Sequence, residues 1–361
     1  MNSQSTIKSS AISLAFMVLI FISCKKDDPV VAVQTVSLDK TEVALNEGDS
    51  VILTSSYFPV DAVAKTTNWS SSNEKVATVV NGKIKAHSRG SALIKIEVDT
   101  VIVATCAVTV SRTDLPYKLV WSDEFDGTSL DLTKWSYEIG GNGWGNNEKQ
   151  YYTNRPENLR IESGNLIIEA KKEVYQSNNY TSARIVTRDK AAFTYGKIEA
   201  RISVPSGAGT WPAFWTLGSN IGVARWPLCG EIDIMEHVGS KPKMVSHAVH
   251  TSEKNGSRGN NWHWQKDFDN VENNFVTYAI EWEQRANEGY DNISFFVNGV
   301  KSTTIWEGVN ATIQQWPFKA NQFIILNIAL GGNMGGTIND AIFNSPVIMK
   351  VDYVRVYQRV N

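Results

Sequence analysis

The sequence predicts an all-β protein built from two sandwich domains. Three observations carry that prediction. Apolar and polar residues alternate over short runs, as they must where one strand face is buried and the other is wet. Turn signals such as Asn81-Gly82 and Asn298-Gly299 punctuate those runs at short intervals. No stretch sustains the helical period of apolar residues or a coiled-coil pattern. A chain of 361 residues suggests two or three domains rather than one.

Residues 1–10 are polar, and an apolar run follows from Ala11 to Ile22, interrupted only by Ser13. The run is too short to span a bilayer and has the length of a signal-peptide core. It ends in Phe21-Ile22-Ser23-Cys24, which resembles a bacterial lipobox with Phe21 in place of the usual aliphatic residue. That resemblance implies cleavage before Cys24 and a lipid on its sulfur. Lys25-Lys26-Asp27-Asp28 resembles the charged signal that sends some lipoproteins to the cell surface. The expectation is a signal peptide at 1–23, a tether at 24–32, and an outer-membrane lipoprotein exposed on a bacterial surface and held by lipid rather than by a transmembrane helix.

Strand-like runs at 50–54, 75–80 and 92–98 lie in segment 33–112, where about seven short strands in eighty residues imply a β-sandwich. Asn68-Trp69-Ser70-Ser71-Ser72, Val76-Ala77-Thr78-Val79 and Cys106-Ala107-Val108-Thr109-Val110 resemble the bacterial immunoglobulin-like group 2 family. The resemblance implies a spacer or adhesion-like module without catalytic residues, with Trp69 in its core. Segment 113–361 is again strand-rich, with runs at 165–170, 196–202, 293–297 and 351–357. About 250 residues of short antiparallel strands predict a large two-sheet sandwich whose concave face can hold a polymer.

Chemistry concentrates in Glu231-Ile232-Asp233-Ile234-Met235-Glu236. On a strand, Glu231 and Asp233 share one face while Ile232 and Ile234 point into a core. Strict alternation would turn Glu236 inward. One extra residue, most simply Met235 in a β-bulge, returns it to the carboxylate side. The two glutamate backbones are then about 13 Å apart, and leaning side chains can close to about 5 Å, the separation of a retaining glycosidase pair. In that reading Glu231 is the nucleophile, Glu236 the general acid/base, and Asp233 shares a proton or hydrogen bond with Glu231. An acidic solvent face or a metal site is the alternative. Trp211, Trp215 and Trp226, just upstream, favour the sugar chemistry, because aromatic rings stack on the apolar faces of sugars. Trp211 and Trp215 are read as lying on a loop.

The 35 Lys and Arg nearly balance the 37 Asp and Glu, so nothing argues for a nucleic-acid partner. Three cysteines, at 24, 106 and 229, form neither a disulfide framework nor a zinc pattern. Cys106 is expected in a core and Cys229 as a packed free thiol.

Residues 117–361 resemble glycoside hydrolase family 16, and within it the bacterial endo-β-1,3-glucanases or laminarinases. The resemblance rests on Trp121-Ser122-Asp123-Glu124-Phe125, Gly143-Trp144-Gly145-Asn146-Asn147-Glu148 with Gln150-Tyr151-Tyr152-Thr153, Ser182-Ala183-Arg184-Ile185, and Tyr195-Gly196-Lys197-Ile198-Glu199-Ala200-Arg201. It continues through Thr210-Trp211-Pro212-Ala213-Phe214-Trp215, the carboxylate strand and Asn327-Ile328-Ala329-Leu330-Gly331-Gly332. It implies a β-jelly roll with an open cleft, a retaining mechanism through the same three carboxylates, and Asn146, Arg184, Trp211, Trp215 and His250 as cleft residues; Trp226 is a further cleft candidate. The substrate implied is a β-1,3-glucan such as laminarin, with mixed-linkage glucan or an agarase-like galactan as alternatives. A non-catalytic glycan-binding protein is the rival from another class. No cofactor is expected for catalysis, and the protein is expected to be a monomer. A structural calcium on the convex face would use Glu124 and Asp352, with ion pairing as their other reading. Met334 stands where laminarinases commonly carry a tryptophan, so one end of the cleft departs from the family pattern.

Overall fold

The computed structural model describes residues 30–100, 102–111, 116–284 and 290–359, so Cys24 and the apolar run before it lie outside the described residues. The N-terminal sandwich has one sheet in the order Glu42–Asn46, Ile102–Ser111, Gly90–Val98 and Thr67–Ser71. A second sheet joins Ser50–Ile52, Lys83–Ala86 and Ala77–Val80. Ile84, Ile94 and Cys106 are fully buried between them, and Trp69 packs on this core as expected. The Asn81-Gly82 hairpin forms with Val80 opposite Lys83, and both turn residues have positive φ (49° and 77°), as a two-residue turn of matching twist requires.

The second domain is two sheets packed face to face. The outer sheet centres on the long strand Val347–Arg359, which pairs with Tyr117–Asp123, Asn165–Tyr175 and Gly196–Ser203. Beyond Gly196–Ser203 it continues through Val276–Glu283, Asn292–Val297 and Val300–Trp306. The inner sheet runs in the order Ser136–Tyr137, Arg184–Val186, Gln322–Leu330, Thr210–Gly218, Glu231–Glu236, Met244–His250 and Trp262–Asp267. Inward residues of both sheets fill the space between them. Phe214, Ile232, Ile234, Leu326 and Ile328 meet Ile198, Ile202, Ile280, Val354 and Val356, all fully buried. That burial is the main stabilising force and fixes the register, because a one-residue slip would send each apolar set outward.

One expectation about this domain needs correction. Trp211 and Trp215 lie on the central strand Thr210–Gly218, not on a loop. Pro212 is accommodated in this strand because its missing N–H falls where the ladder to the carboxylate strand ends; its carbonyl accepts from His237 N at 3.2 Å, just past that strand. For Glu124 and Asp352 the structure has the ion-pairing reading. Arg355 grips Glu124 through two bonds of 3.0 and 2.7 Å, and Arg201 holds Asp352 at 2.6 Å, so a guanidinium already supplies the positive charge each carboxylate needs. Cys106 and Cys229 are buried free thiols.

Candidate active site

The exposed face of the inner sheet floors a cleft of about 550 Å³. Strand alternation decides which residues reach it. From Thr210–Gly218 come Trp211, Ala213, Trp215 and Leu217, every second residue; from Gln322–Leu330 come Asn327 and Ala329.

The carboxylate strand breaks alternation through a bulge. Opposite its tryptophan-bearing neighbour, Trp215 pairs with Asp233 but Phe214 pairs with Met235, which leaves Ile234 as the extra residue in this ladder. On the other side Asp233 pairs with Ala248 and Glu236 with Ser246. The bulge thus spans Ile234 and Met235 rather than Met235 alone. Ile234 and Met235 are both fully buried, and Glu231, Asp233 and Glu236 all line the cleft.

Each carboxylate has a distinct environment. Glu231 Oε2 accepts from Trp226 Nε1 at 2.6 Å. Glu236 Oε1 accepts from Trp211 Nε1 at 2.9 Å. Burial pushes the Glu236 carboxyl up to about 7; the Trp211 bond and the positive field of His250 pull it down, and the Glu231 charge pushes it further up. Burial, then the charges of Glu231 and Glu236, raise Asp233 well above the usual carboxylate range, against the pull of His250.

His250 Nε2 sits 3.1 Å from Asp233 Oδ2 and 3.8 Å from Glu231 Oε1. Burial lowers its proton affinity, but the bond to Asp233 and the surrounding carboxylates outweigh burial and lift it to about 9. The backbone N–H of Gly256 points at Nδ1 from 3.0 Å and works the other way, since a protonated Nδ1 would face a second donor. That contact favours the tautomer with its proton on Nε2, which faces Asp233 Oδ2. It also bears on the metal alternative. Donor atoms of Glu231, Asp233 and His250 lie within 4.8 Å of one another. A metal-binding histidine presents a bare nitrogen to the ion and donates from the other; here the Gly256 N–H occupies the place of the acceptor that Nδ1–H would need.

One end of the cleft is built by contacts distant in sequence. Arg184 is buried, ion-paired with Glu138 at 2.6 Å, and stacked between Trp144 and Trp215, each ring centroid 4.7 Å away. It is therefore no plain surface ion pair. Asn146 projects from a tight turn in which Gly143, Trp144, Gly145 and Asn147 all have positive φ. The turn is tied to the segment after Leu330: Asn333 N donates to Asn146 O, and Asn147 Nδ2 to Asn333 Oδ1, both at 2.8 Å. Met334 lines the cleft here. Several residues were missed in sequence. Trp215 Nε1 donates to Asn327 Oδ1 at 2.7 Å, Asn327 Nδ2 to Tyr152 OH at 3.1 Å, and Tyr152 OH to Glu148 Oε2 at 3.0 Å. Trp144, Glu148 and Asn327 all border the cleft and lie inside the motifs quoted above, which was the available signal. Burial raises the Glu148 carboxyl, against the hydrogen bonds from Gln150 and Tyr152 and the charge of Arg184.

This geometry meets its counterpart in known proteins. The profile of the glycosyl hydrolases family 16 matches residues 146–354, more than half of the chain. The chain belongs to glycosyl hydrolase family 16. The profile of the bacterial Ig-like domain (group 2) matches residues 32–108. A relative, the beta-glucanase of Rhodothermus marinus, is 41% identical over 284 residues, covering 77% of this chain and 97% of that protein. The crystal structure of a laminarinase from Flavobacterium sp. UMI-01 superposes with a TM-score of 0.61 at 43% identity, covering 67% of this chain and all of that one. The keratan-sulfate endo-1,4-beta-galactosidase of Sphingobacterium multivorum is 34% identical over 258 residues, 70% of this chain and 57% of that protein. As a family 16 member, the chain is a glycoside hydrolase.

Proposed function

We propose that this chain hydrolyses internal β-1,3-glucosidic bonds of laminarin-type glucans with retention of configuration. The observation that carries the reading is the bulge that brings Glu231, Asp233 and Glu236 to one cleft face, with the Asp233 and Glu236 carboxyls both held above the usual range. Glu236, its carboxyl held near 7, gives its proton to the glycosidic oxygen. Glu231 attacks the anomeric carbon and the C–O bond to the departing chain breaks. Glu236, now a carboxylate, takes a proton from water, whose oxygen displaces Glu231 and frees the sugar. Asp233 shares a proton or hydrogen bond with the nucleophile, and His250 sits against Asp233. Trp211, Trp215 and Trp226 offer ring faces to glucose units, while Asn146 and Arg184 offer donors to hydroxyls.

The reading of the N-terminus stays with the sequence: a signal peptide cleaved before Cys24, a lipid on that sulfur, and display at the cell surface with the Ig-like domain as spacer. Labelling with a radioactive fatty acid, lost on Cys24→Ala, tests it.

The substrate is tested by product analysis of the chain from residue 25 on laminarin, lichenan, agarose and carrageenan. Rapid release of mixed oligosaccharides from laminarin is expected. Activity on a galactan with silence on laminarin would keep the mechanism and overturn the substrate; the similarity to a galactosidase makes this the outcome to watch. Silence on all four would point to an untested polymer or return the chain to the glycan-binding reading.

A further inference from the structure

We propose that His247 is a positioning residue, holding the bulge that turns Glu236 toward the cleft by donating Nδ1–H to the Ile234 carbonyl. The proposal rests on Glu236 being the general acid. His247 lies on Met244–His250, the strand beside the carboxylates, but on the opposite face from His250. Asp233 pairs with Ala248 and Glu236 with Ser246, so two residues, Ile234 and Met235, stand opposite His247 alone. A ladder cannot satisfy two residues with one. The Ile234 carbonyl, beside a fully buried side chain, needs another donor, and His247 Nδ1 supplies it at 2.7 Å.

The histidine is built for this one bond. It is fully buried, with its ring 4.9 Å from Phe295 and 5.4 Å from Trp264. Burial lowers its proton affinity to about 4, the Ile234 bond opposing, so the ring is neutral near neutral pH and carries one N–H. With Nδ1 against a carbonyl, that proton is on Nδ1. Nε2 is then a buried acceptor with no hydrogen-bond partner. An apolar side chain would fill the same space without stranding a lone pair. What the histidine adds is the Nδ1–H donor, delivered at the residue where the strand changes face two positions before Glu236.

The test uses three variants of the full chain and two substrates. His247→Leu keeps apolar bulk and removes the donor; His247→Asn places an amide N–H near the Nδ1 position, and His247→Gln places it near Nε2. Laminarin needs its leaving oxygen protonated; a 2,4-dinitrophenyl β-laminaribioside does not. First-turnover release of dinitrophenol reads glycosylation without the acid. We expect His247→Leu to lose roughly tenfold or more on laminarin relative to the aryl glycoside, and His247→Asn to recover most of that loss. Equal losses on both substrates, or no loss on either, overturn the proposal. If the leucine variant does not fold, Asn and Gln decide: a laminarin-selective defect in Gln alone supports the bond, and equal behaviour refutes it. Glu236→Gln run alongside separates the two readings, because a glutamine variant without the substrate split would sink the role of Glu236 itself.

Discussion

Replacing Trp211 with phenylalanine isolates one hydrogen bond from the aromatic surface it belongs to. The indole N–H donates to Glu236 Oε1 at 2.9 Å, and this bond favours the charged carboxylate. A hydrogen bond to a charged group contributes about 1.5–3 kcal/mol. The indole is partly exposed, so the lower end applies. Since one pKa unit corresponds to ~1.4 kcal/mol, the acid should hold its proton to a pH about one unit higher than the wild-type value near 7. Glycosylation requires protonated Glu236, so the alkaline limb of kcat/KM must move up. Phenylalanine keeps a ring for the sugar, which separates this shift from a loss of binding. The assay is kcat/KM on a laminari-oligosaccharide across pH, for both proteins. A limb that stays in place or moves down would mean that Glu236 is not the group whose proton is being read.

Other outcomes follow from the same geometry. Glu236 sits at about 7 folded against 4.5 unfolded, so the stability tied to it is fully present below 4.5 and lost above about 7; Glu236→Gln should therefore gain ~3 kcal/mol over wild type in chemical denaturation at pH 8 but little at pH 4. Arg184→Lys keeps the charge but loses the planar stack between Trp144 and Trp215. It should weaken kcat/KM roughly tenfold to a hundredfold, and a lysine variant within twofold of wild type would remove Arg184 from substrate binding. Gly332 has φ +71°, and a Cβ there would meet Asn146 O at 2.7 Å. Gly332→Ala should displace the Asn146 turn, costing about 1–2 kcal/mol of stability and weakening oligosaccharide binding by calorimetry; unchanged affinity would show that Asn146 makes no productive sugar contact.

The parts of this protein legible in sequence are those set by local rules. Asn81-Gly82 and Asn298-Gly299 announce hairpins because two positive φ angles are needed there, and the structure has them. The bulge could be counted from the spacing of Glu231, Asp233 and Glu236, because two-residue periodicity leaves no other way to align them. Its exact seat could not, since Ile234 and Met235 are equally apolar and the neighbouring ladders decide between them. The strand carrying Trp211 and Trp215 was not legible, because Pro212 fits inside a strand only where its missing donor falls off the ladder, which only the partner's end reveals. Asn327 escaped because its partners are distant in the chain, Trp215 across 112 residues and Tyr152 across 175; Glu148 and Trp144 bond to near neighbours, and only the folded sheet shows that they border the cleft. The arginines that claim Glu124 and Asp352 were present in the sequence, but only sheet pairing brought them within reach.

The two described cysteines divide themselves one to a domain, and both are fully buried and unpaired. Burial raises Cys106 above the ordinary thiol range and lifts Cys229 to about 11, the latter helped by the charge of Glu231. A thiol that is both covered and protonated ignores alkylating reagents. Each cysteine therefore becomes reactive only when its own sandwich opens. Mass spectrometry of a chain pulsed with iodoacetamide during heating would then carry two separate clocks, one timing the spacer and one timing the enzyme, with no engineered label in either.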